Sequence, residues 1–270
     1  MTASRFVSPH LPGFGPLLRQ SPFSILPRPL LLRPLLAAAL WASGLGAASA
    51  FDIPPPPPPA YDMLILPLFP DSSAVPFSGQ SDGAGRRHPA PARSGAAGTA
   101  STLASDRPQV QASARELAQA MPAAYRTRMV EIYQQCFATW RELERKLGLP
   151  PDDVAGAIAA FIAGNYMAYR DVEVPDAAYL RLVEQLRTAL RANPGLARAS
   201  GAQRRKLYEQ MAMVGTFMAV AQLNLKKQPD PQAARHFRDA AAANLETALQ
   251  MPAAEIRISH EGLVRASGRP

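Results

Sequence analysis

Asp152-Asp153-Val154-Ala155-Gly156-Ala157-Ile158-Ala159-Ala160-Phe161-Ile162-Ala163-Gly164-Asn165-Tyr166-Met167-Ala168-Tyr169-Arg170-Asp171 is the stretch on which the fold turns. Val154, Ala157, Ile158, Phe161, Ile162, Tyr166 and Tyr169 recur at helical spacing and form one apolar face. The other faces carry Ala155, Gly156, Ala159, Ala160, Ala163 and Gly164, which lets neighbouring helices approach on every side. A helix of this kind belongs at the centre of a bundle. Asp152 and Asp153 stand at its start, where negative charge is favoured by the helix dipole.

The flanking sequence supplies the neighbours. A short helix over Ala112–Ala120 stops at Met121-Pro122, and Pro122 can open the next helix. That helix places Tyr125, Met129, Ile132, Cys136, Trp140, Leu143 and Leu147 in one stripe, with Arg126, Glu131, Glu142 and Arg145 opposite and Gly148 as its stop. After the central helix, Pro175 starts a helix with Tyr179, Val183, Leu186 and Leu190 inward, ending at Asn193-Pro194-Gly195. Ser200-Gly201-Ala202-Gln203 is a capping box. It opens a fifth helix through Leu207, Met211, Val214, Phe217, Met218, Ala221 and Leu225, which closes on Lys226 and Lys227. Asp230-Pro231 caps a sixth, carrying Phe237, Ala241, Leu245 and Leu249 up to Met251-Pro252. Glu255–Ser259 alternates like a short strand and His260-Glu261-Gly262 reads as a turn. With no evident second strand, an extended tail packed on the helices is expected. The expected fold is therefore all-α: a single bundle of five to six helices over residues 110–265 with a short extended C-terminal segment, then a disordered tail over 266–270.

The N-terminal part has a different character. Arg33-Pro34 precedes an apolar run, and Ala48-Ser49-Ala50 offers small residues for cleavage before Phe51. Residues 1–50 read as a signal peptide. The run is about 16 residues and rich in Ala and Gly, short of the roughly 20 that span a bilayer. An uncleaved anchor is the competing reading. Cleavage near Ala50/Phe51 implies a periplasmic or secreted chain. Residues 51–109 hold 12 of the 28 prolines, six of them in Pro54–Pro59, with much Gly, Ser and Ala. They read as a Pro-rich disordered linker preceding the bundle. Within it Met63–Phe69 is an apolar run suited to docking on the domain or a partner.

The net charge is +8, from 29 basic and 21 acidic residues. Four of the arginines lie in the first 50 residues with no acid, so the chain beyond them has 25 basic and 21 acidic residues, +4. That balance gives no case for nucleic acid, and a membrane is a partner only if the signal segment is retained. The one cysteine, Cys136, sits on an apolar stripe and cannot pair within the chain. His236 and His260 lack second ligands at useful spacing, so no metal ligand is assigned. No catalytic motif and no cofactor motif occurs. Glu142, Glu184, Glu209 and Asp239 offer carboxylates for glycan hydrolysis, but nothing in the sequence brings two together.

The local candidates for a ligand or partner site are few. Asn165 interrupts the apolar face of the central helix, with Tyr166, Tyr169 and Arg170 beyond it. Two roles are open: a buried amide fixing helix register, or a polar pocket at the helix end. Asn244 interrupts the sixth-helix stripe in the same way. Arg204-Arg205-Lys206 puts positive charge in the first turn of a helix, where it is mildly unfavourable. A solvated face and an anion or partner site are the alternatives.

The segment Leu149–Arg170, with Leu207-Tyr208-Glu209-Gln210-Met211-Ala212 and Ile256–Val264, resembles a bacterial family of exported, mostly helical proteins classed as a domain of unknown function. The resemblance covers about residues 110–265. It implies an export signal followed by one helical domain and transfers no activity. The expected function is a non-enzymatic interaction or structural module of the cell envelope, binding an envelope protein or polymer that the sequence does not name. An enzyme acting on cell-wall glycan or another envelope substrate is the alternative, as is a carrier of a small apolar ligand held near Phe161, Met211, Phe217 and Met218. The oligomeric state is left open.

Overall fold

The computed structural model describes residues 101–266 and, before them, Pro55 alone. The expected signal peptide, most of the linker including Met63–Phe69, and the tail beyond Ala266 lie outside the described residues. Among those residues the fold is mostly helical, with seven α-helices and two short strands. The helices are α1 (Val110–Gln119), α2 (Arg126–Lys146), α3 (Val154–Arg170), α4 (Asp176–Arg191), α5 (Pro194–Arg198), α6 (Gly201–Lys227) and α7 (Pro231–Leu249). The strands are β1 (Ile256–Ser259) and β2 (Gly262–Arg265).

The central helix is α3. Every residue from Val154 to Ala168 is buried. α3 and α6 run in the same direction, since Asp152 meets Arg205 at one end while Asp171 meets Gln222 at the other. Their backbones cross at Gly164 and Gly215. A Cβ on Gly164 would lie 2.0 Å from the Gly215 carbonyl oxygen, and one on Gly215 would lie 2.4 Å from the Ala160 carbonyl. Only hydrogen at both positions permits this approach. α4 packs against the N-terminal part of α3, with Tyr179 donating to the Gly156 carbonyl at 2.9 Å and Arg187 reaching Asp153. α2 covers α6 in the opposite direction, Tyr133 meeting Phe217 and Phe137 meeting Tyr208 edge-on. α7 closes the remaining side through Phe237 and Asn244.

The helix boundaries follow local chemistry. Asp153, Ser200 and Asp230 accept backbone N–H groups at the starts of α3, α6 and α7, and the capping box is complete. Gly148 takes a φ of +66°, and Leu149 N–H returns to the Glu144 carbonyl at 3.0 Å, which satisfies the C-terminal carbonyls of α2.

Three expectations require correction. Asn193-Pro194-Gly195 is not a plain stop. Asn193 accepts from Gly195 and Leu196 N–H and caps the extra helix α5, with Pro194 in its first turn. The C-terminal strand is not an unpaired tail, because Gly262–Arg265 pairs with it antiparallel, Ile258 opposite Leu263. The turn allows this because Gly262 adopts φ +95°. Finally, the packed region begins before residue 110. Thr102 and Ala104 are buried, Leu103 bridges Asp153, and two backbone bonds of 2.9 Å join the segment to the start of α3: Ala104 N–H to the Asp152 carbonyl and Val154 N–H to the Thr102 carbonyl. Two small inward side chains suffice when the main chain supplies the bonds, so composition alone did not reveal it.

Candidate functional site

Two groups of buried polar side chains lie along α3, one at Asp153 and one at Asn165 twelve residues on, about 18 Å apart along the axis. At the N-terminal end, one Asp153 oxygen caps α3 through Ala155 N–H at 3.2 Å. The other accepts from Arg187 Nε at 3.1 Å and Nη2 at 2.5 Å, and Arg187 also pairs with Glu184. Beside it, Glu144 accepts from the Tyr208 hydroxyl at 2.9 Å, from Asp152 N–H at 3.1 Å and from Arg141 Nη1 at 2.7 Å. The Tyr208 oxygen in turn accepts from Trp140 Nε1 at 3.0 Å and Arg141 Nη1 at 2.8 Å. Asp152 bridges Arg141 and Arg205, each at 2.9 Å.

Burial governs the protonation of these groups. It pushes the Glu144 carboxyl above its ordinary range, against the hydrogen bond from Tyr208 and the charge of Arg141, which pull it down. Burial and the Glu144 charge raise both Tyr208 and Tyr179, the latter also through Asp153. Both phenols therefore serve as hydrogen-bonding groups rather than bases at neutral pH. Each of these carboxylates has partners inside the domain, as a buried charge requires.

Arg204 and Arg205 lie at this end. Arg205 is 3% exposed and is not part of a solvated face. Its Nε donates to the Asp106 carbonyl at 2.8 Å and its Nη2 to the Ala104 carbonyl. Glu209, one turn on and fully buried, accepts from Gln109 N–H at 2.8 Å and Ser113 Oγ at 2.6 Å. Arg204 reaches the Ser101 carbonyl at 3.4 Å, and Lys206 pairs with Glu116. The basic triplet thus holds the N-terminal segment and α1 against the bundle.

At the other end of α3, Asn165 is fully buried. Its Nδ2 donates to the Phe161 carbonyl at 2.8 Å, and its Oδ1 accepts from Asn244 Nδ2 at 2.8 Å. The two interruptions noted in the sequence thus meet as a pair across α3 and α7. Asn244 Oδ1 is buried without a hydrogen-bond partner. Tyr166 is buried and Tyr169 half-buried, with the Arg170 guanidinium 5.0 Å from the Tyr169 ring centre. Arg170 donates to the Ala254 carbonyl at 2.7 Å and so fastens the approach to β1. These four residues share one helix end. Arg204 and Arg205 belong to the opposite end, so the six candidates do not form a single site.

Other groups singled out from the sequence are separate. Cys136 is buried and its thiol is pushed up to about 12 by burial. Phe161, Met211 and Met218 are buried, and Phe217 packs between Tyr133 and Phe237 with ring centres 6.0 Å away on each side. Among the described residues no group of three His, Cys, Asp or Glu side chains is placed to hold a metal ion, and no helix is long and apolar enough to cross a membrane.

Sequence reasoning missed Glu144, Tyr208 and Arg187. A signal existed for part of this. Arg205, Tyr208 and Glu209 stand at i, i+3 and i+4 on one helix face, and Glu144 lies one turn after the inward Trp140. Nothing local names their partners.

No curated protein and no solved structure matches this chain. A family model does match, over residues 73–265, which takes in the segment before α1, all seven helices and the hairpin. The chain belongs to the family of unknown function DUF6683.

Proposed function

We infer that this chain is an exported bacterial protein whose helical domain is a non-enzymatic interaction or structural module of the cell envelope. In this reading residues 1–50 direct export and are removed before Phe51, and the Pro-rich stretch is the N-terminal arm of the mature chain. One observation supports the non-enzymatic part. The densest set of ionisable side chains, at the start of α3, is bonded within itself. Glu144, Asp152 and Asp153 pair with Arg141, Arg205 and Arg187, and Glu209 holds α1. A general acid or base needs a face toward substrate, and these groups face one another. The set works as a clamp joining α1, α2, α3, α4 and α6.

The test is expression of the full chain in a bacterial host with fractionation and N-terminal sequencing. The reading expects a mature chain starting at Phe51 outside the cytoplasm. Immobilised protein should then retain a defined envelope component without altering it. Cytoplasmic retention with an intact N-terminus would overturn the export reading. Turnover of cell-wall glycan that is abolished by Glu144→Gln in a folded chain would overturn the non-enzymatic one.

A further inference from the structure

The segment Ser101–Asp106 is held in an unusual way for a chain that is only passing into a helix. Its inward side chains, Thr102 and Ala104, are small, and the residues between and after them are exposed. Its attachment is mainly through main-chain atoms. Thr102 and Ala104 form the two backbone bonds to Val154 and Asp152, and buried Arg205 takes the carbonyls of Ala104 and Asp106. An extended peptide with alternate small side chains in pockets and its main chain read by a neighbouring edge is the pattern of strand addition. The receiving surface is made by the backbone of Asp152 and Val154 at the start of α3 and by Arg205 of α6. The segment is followed by an exposed non-helical joint, Arg107-Pro108, before Gln109 is fixed on Glu209.

We propose that this surface is a strand-accepting site, filled in cis by residues 101–106 of its own chain, and that a second copy of the chain fills it in trans by exchanging the same segment. The second copy is the natural donor, because the site already fits this sequence at Thr102, Ala104 and the carbonyl of Asp106. Exchange keeps every tertiary bond of the closed monomer and needs only Arg107-Pro108 to reorient, since Gln109 stays fixed by buried Glu209. That is the low-cost route to a symmetric dimer. The inference goes beyond the envelope reading and does not depend on export.

The geometry supplies its own reporter. A Cβ on Gly201 would lie 3.4 Å from Asp106 Cβ, close to the span of a disulfide. The full chain carrying Asp106→Cys and Gly201→Cys is equilibrated, reduced, over a range of concentrations and then oxidised. Cys136 is buried and stays out of the reaction. The proposal expects intramolecular bridges at low concentration and doubly bridged dimers at high concentration. Their ratio to monomer should rise about tenfold per tenfold rise in free monomer. A second measurement mixes full-length Ala104→Glu, whose segment no longer fits, with full-length Arg205→Ala, whose surface no longer holds one. Only the mixture should yield a dimer, of one chain of each kind. Intramolecular bridging alone at every concentration, no bridging at all, or equal dimer yield from a chain with Asp106→Cys only would overturn the exchange.

Discussion

Replacing Gly215 by alanine tests the α3–α6 crossing on which the bundle depends. The added Cβ would sit 2.4 Å from the Ala160 carbonyl carbon and oxygen and from Phe161 N, while real Cβ atoms essentially never approach within 3.0 Å. The obstructing atoms are backbone, so no side chain can turn aside. The helices must part by at least about 0.6 Å, the shortfall between those two distances. α3 is buried along its length, so this separation opens gaps at other contacts and forfeits dispersion there. Overpacking of this kind costs about 1–3 kcal/mol and occasionally more. Alanine recovers about 1 kcal/mol of helix propensity relative to glycine. Because rigid backbone is displaced, the upper part of the range applies, and Gly215→Ala should lose about 2 kcal/mol net. Gly156→Ala is the control. Its Cβ meets Leu149 and Trp140 side chains at 3.4 Å and beyond, which is ordinary contact, so stability should hold or rise by up to about 1 kcal/mol. Urea denaturation followed by helical circular dichroism compares both with wild type. Gly215→Ala as stable as wild type, or less harmful than Gly156→Ala, would refute the argument that backbone contact sets this crossing.

Three further outcomes are expected. Arg187→Ala should cost about 3–5 kcal/mol in chemical denaturation, because it strands the buried Asp153 carboxylate; a loss below about 1 kcal/mol would show that water reaches Asp153. Asn165→Ala should cost about 1–3 kcal/mol by leaving the Asn244 amide unpaired in the core, and in a double-mutant cycle Asn165→Ala with Asn244→Ala should cost less than the two single changes added together; strict additivity would mean that the pair is not coupled. Glu144 is raised in the folded state above its ordinary 4.5, so its contribution to stability is fully present below that pH and is lost as pH rises through the raised value; Glu144→Gln should remove this component from a stability-against-pH profile, and an unchanged profile would refute the burial argument.

Much of the bundle was legible because its signals are local. The apolar stripes of α2, α3, α4, α6 and α7, the acidic start at Asp152 and Asp153, the cap residues Ser200 and Asp230, and the stop at Gly148 each act within a turn or two of their own position. The composition of α3, small on all faces but one, was enough to place it at the centre. Asn165 and Asn244 were both visible as interruptions of an apolar face.

The meeting of those two asparagines was not visible, since they stand far apart in sequence and only the packing of α7 on α3 joins them. The same holds for the clamp around Glu144, Tyr208 and Asp152, for the hold of Arg205 and Glu209 on the segment before α1, and for the role of Arg170 at the hairpin. Read locally, Glu144 and Glu209 look like ordinary surface charges, and nothing near Tyr208, Asp152, Arg205 or Arg170 names the partner each one meets. The sequence by itself determined where helices start, stop and turn their apolar faces, because capping and periodicity are short-range. Which charges are buried, and which carbonyls and carboxylates receive them, was decided only by the tertiary structure. A buried charge is tolerable only beside its partner, and that partner is chosen by how the helices cross.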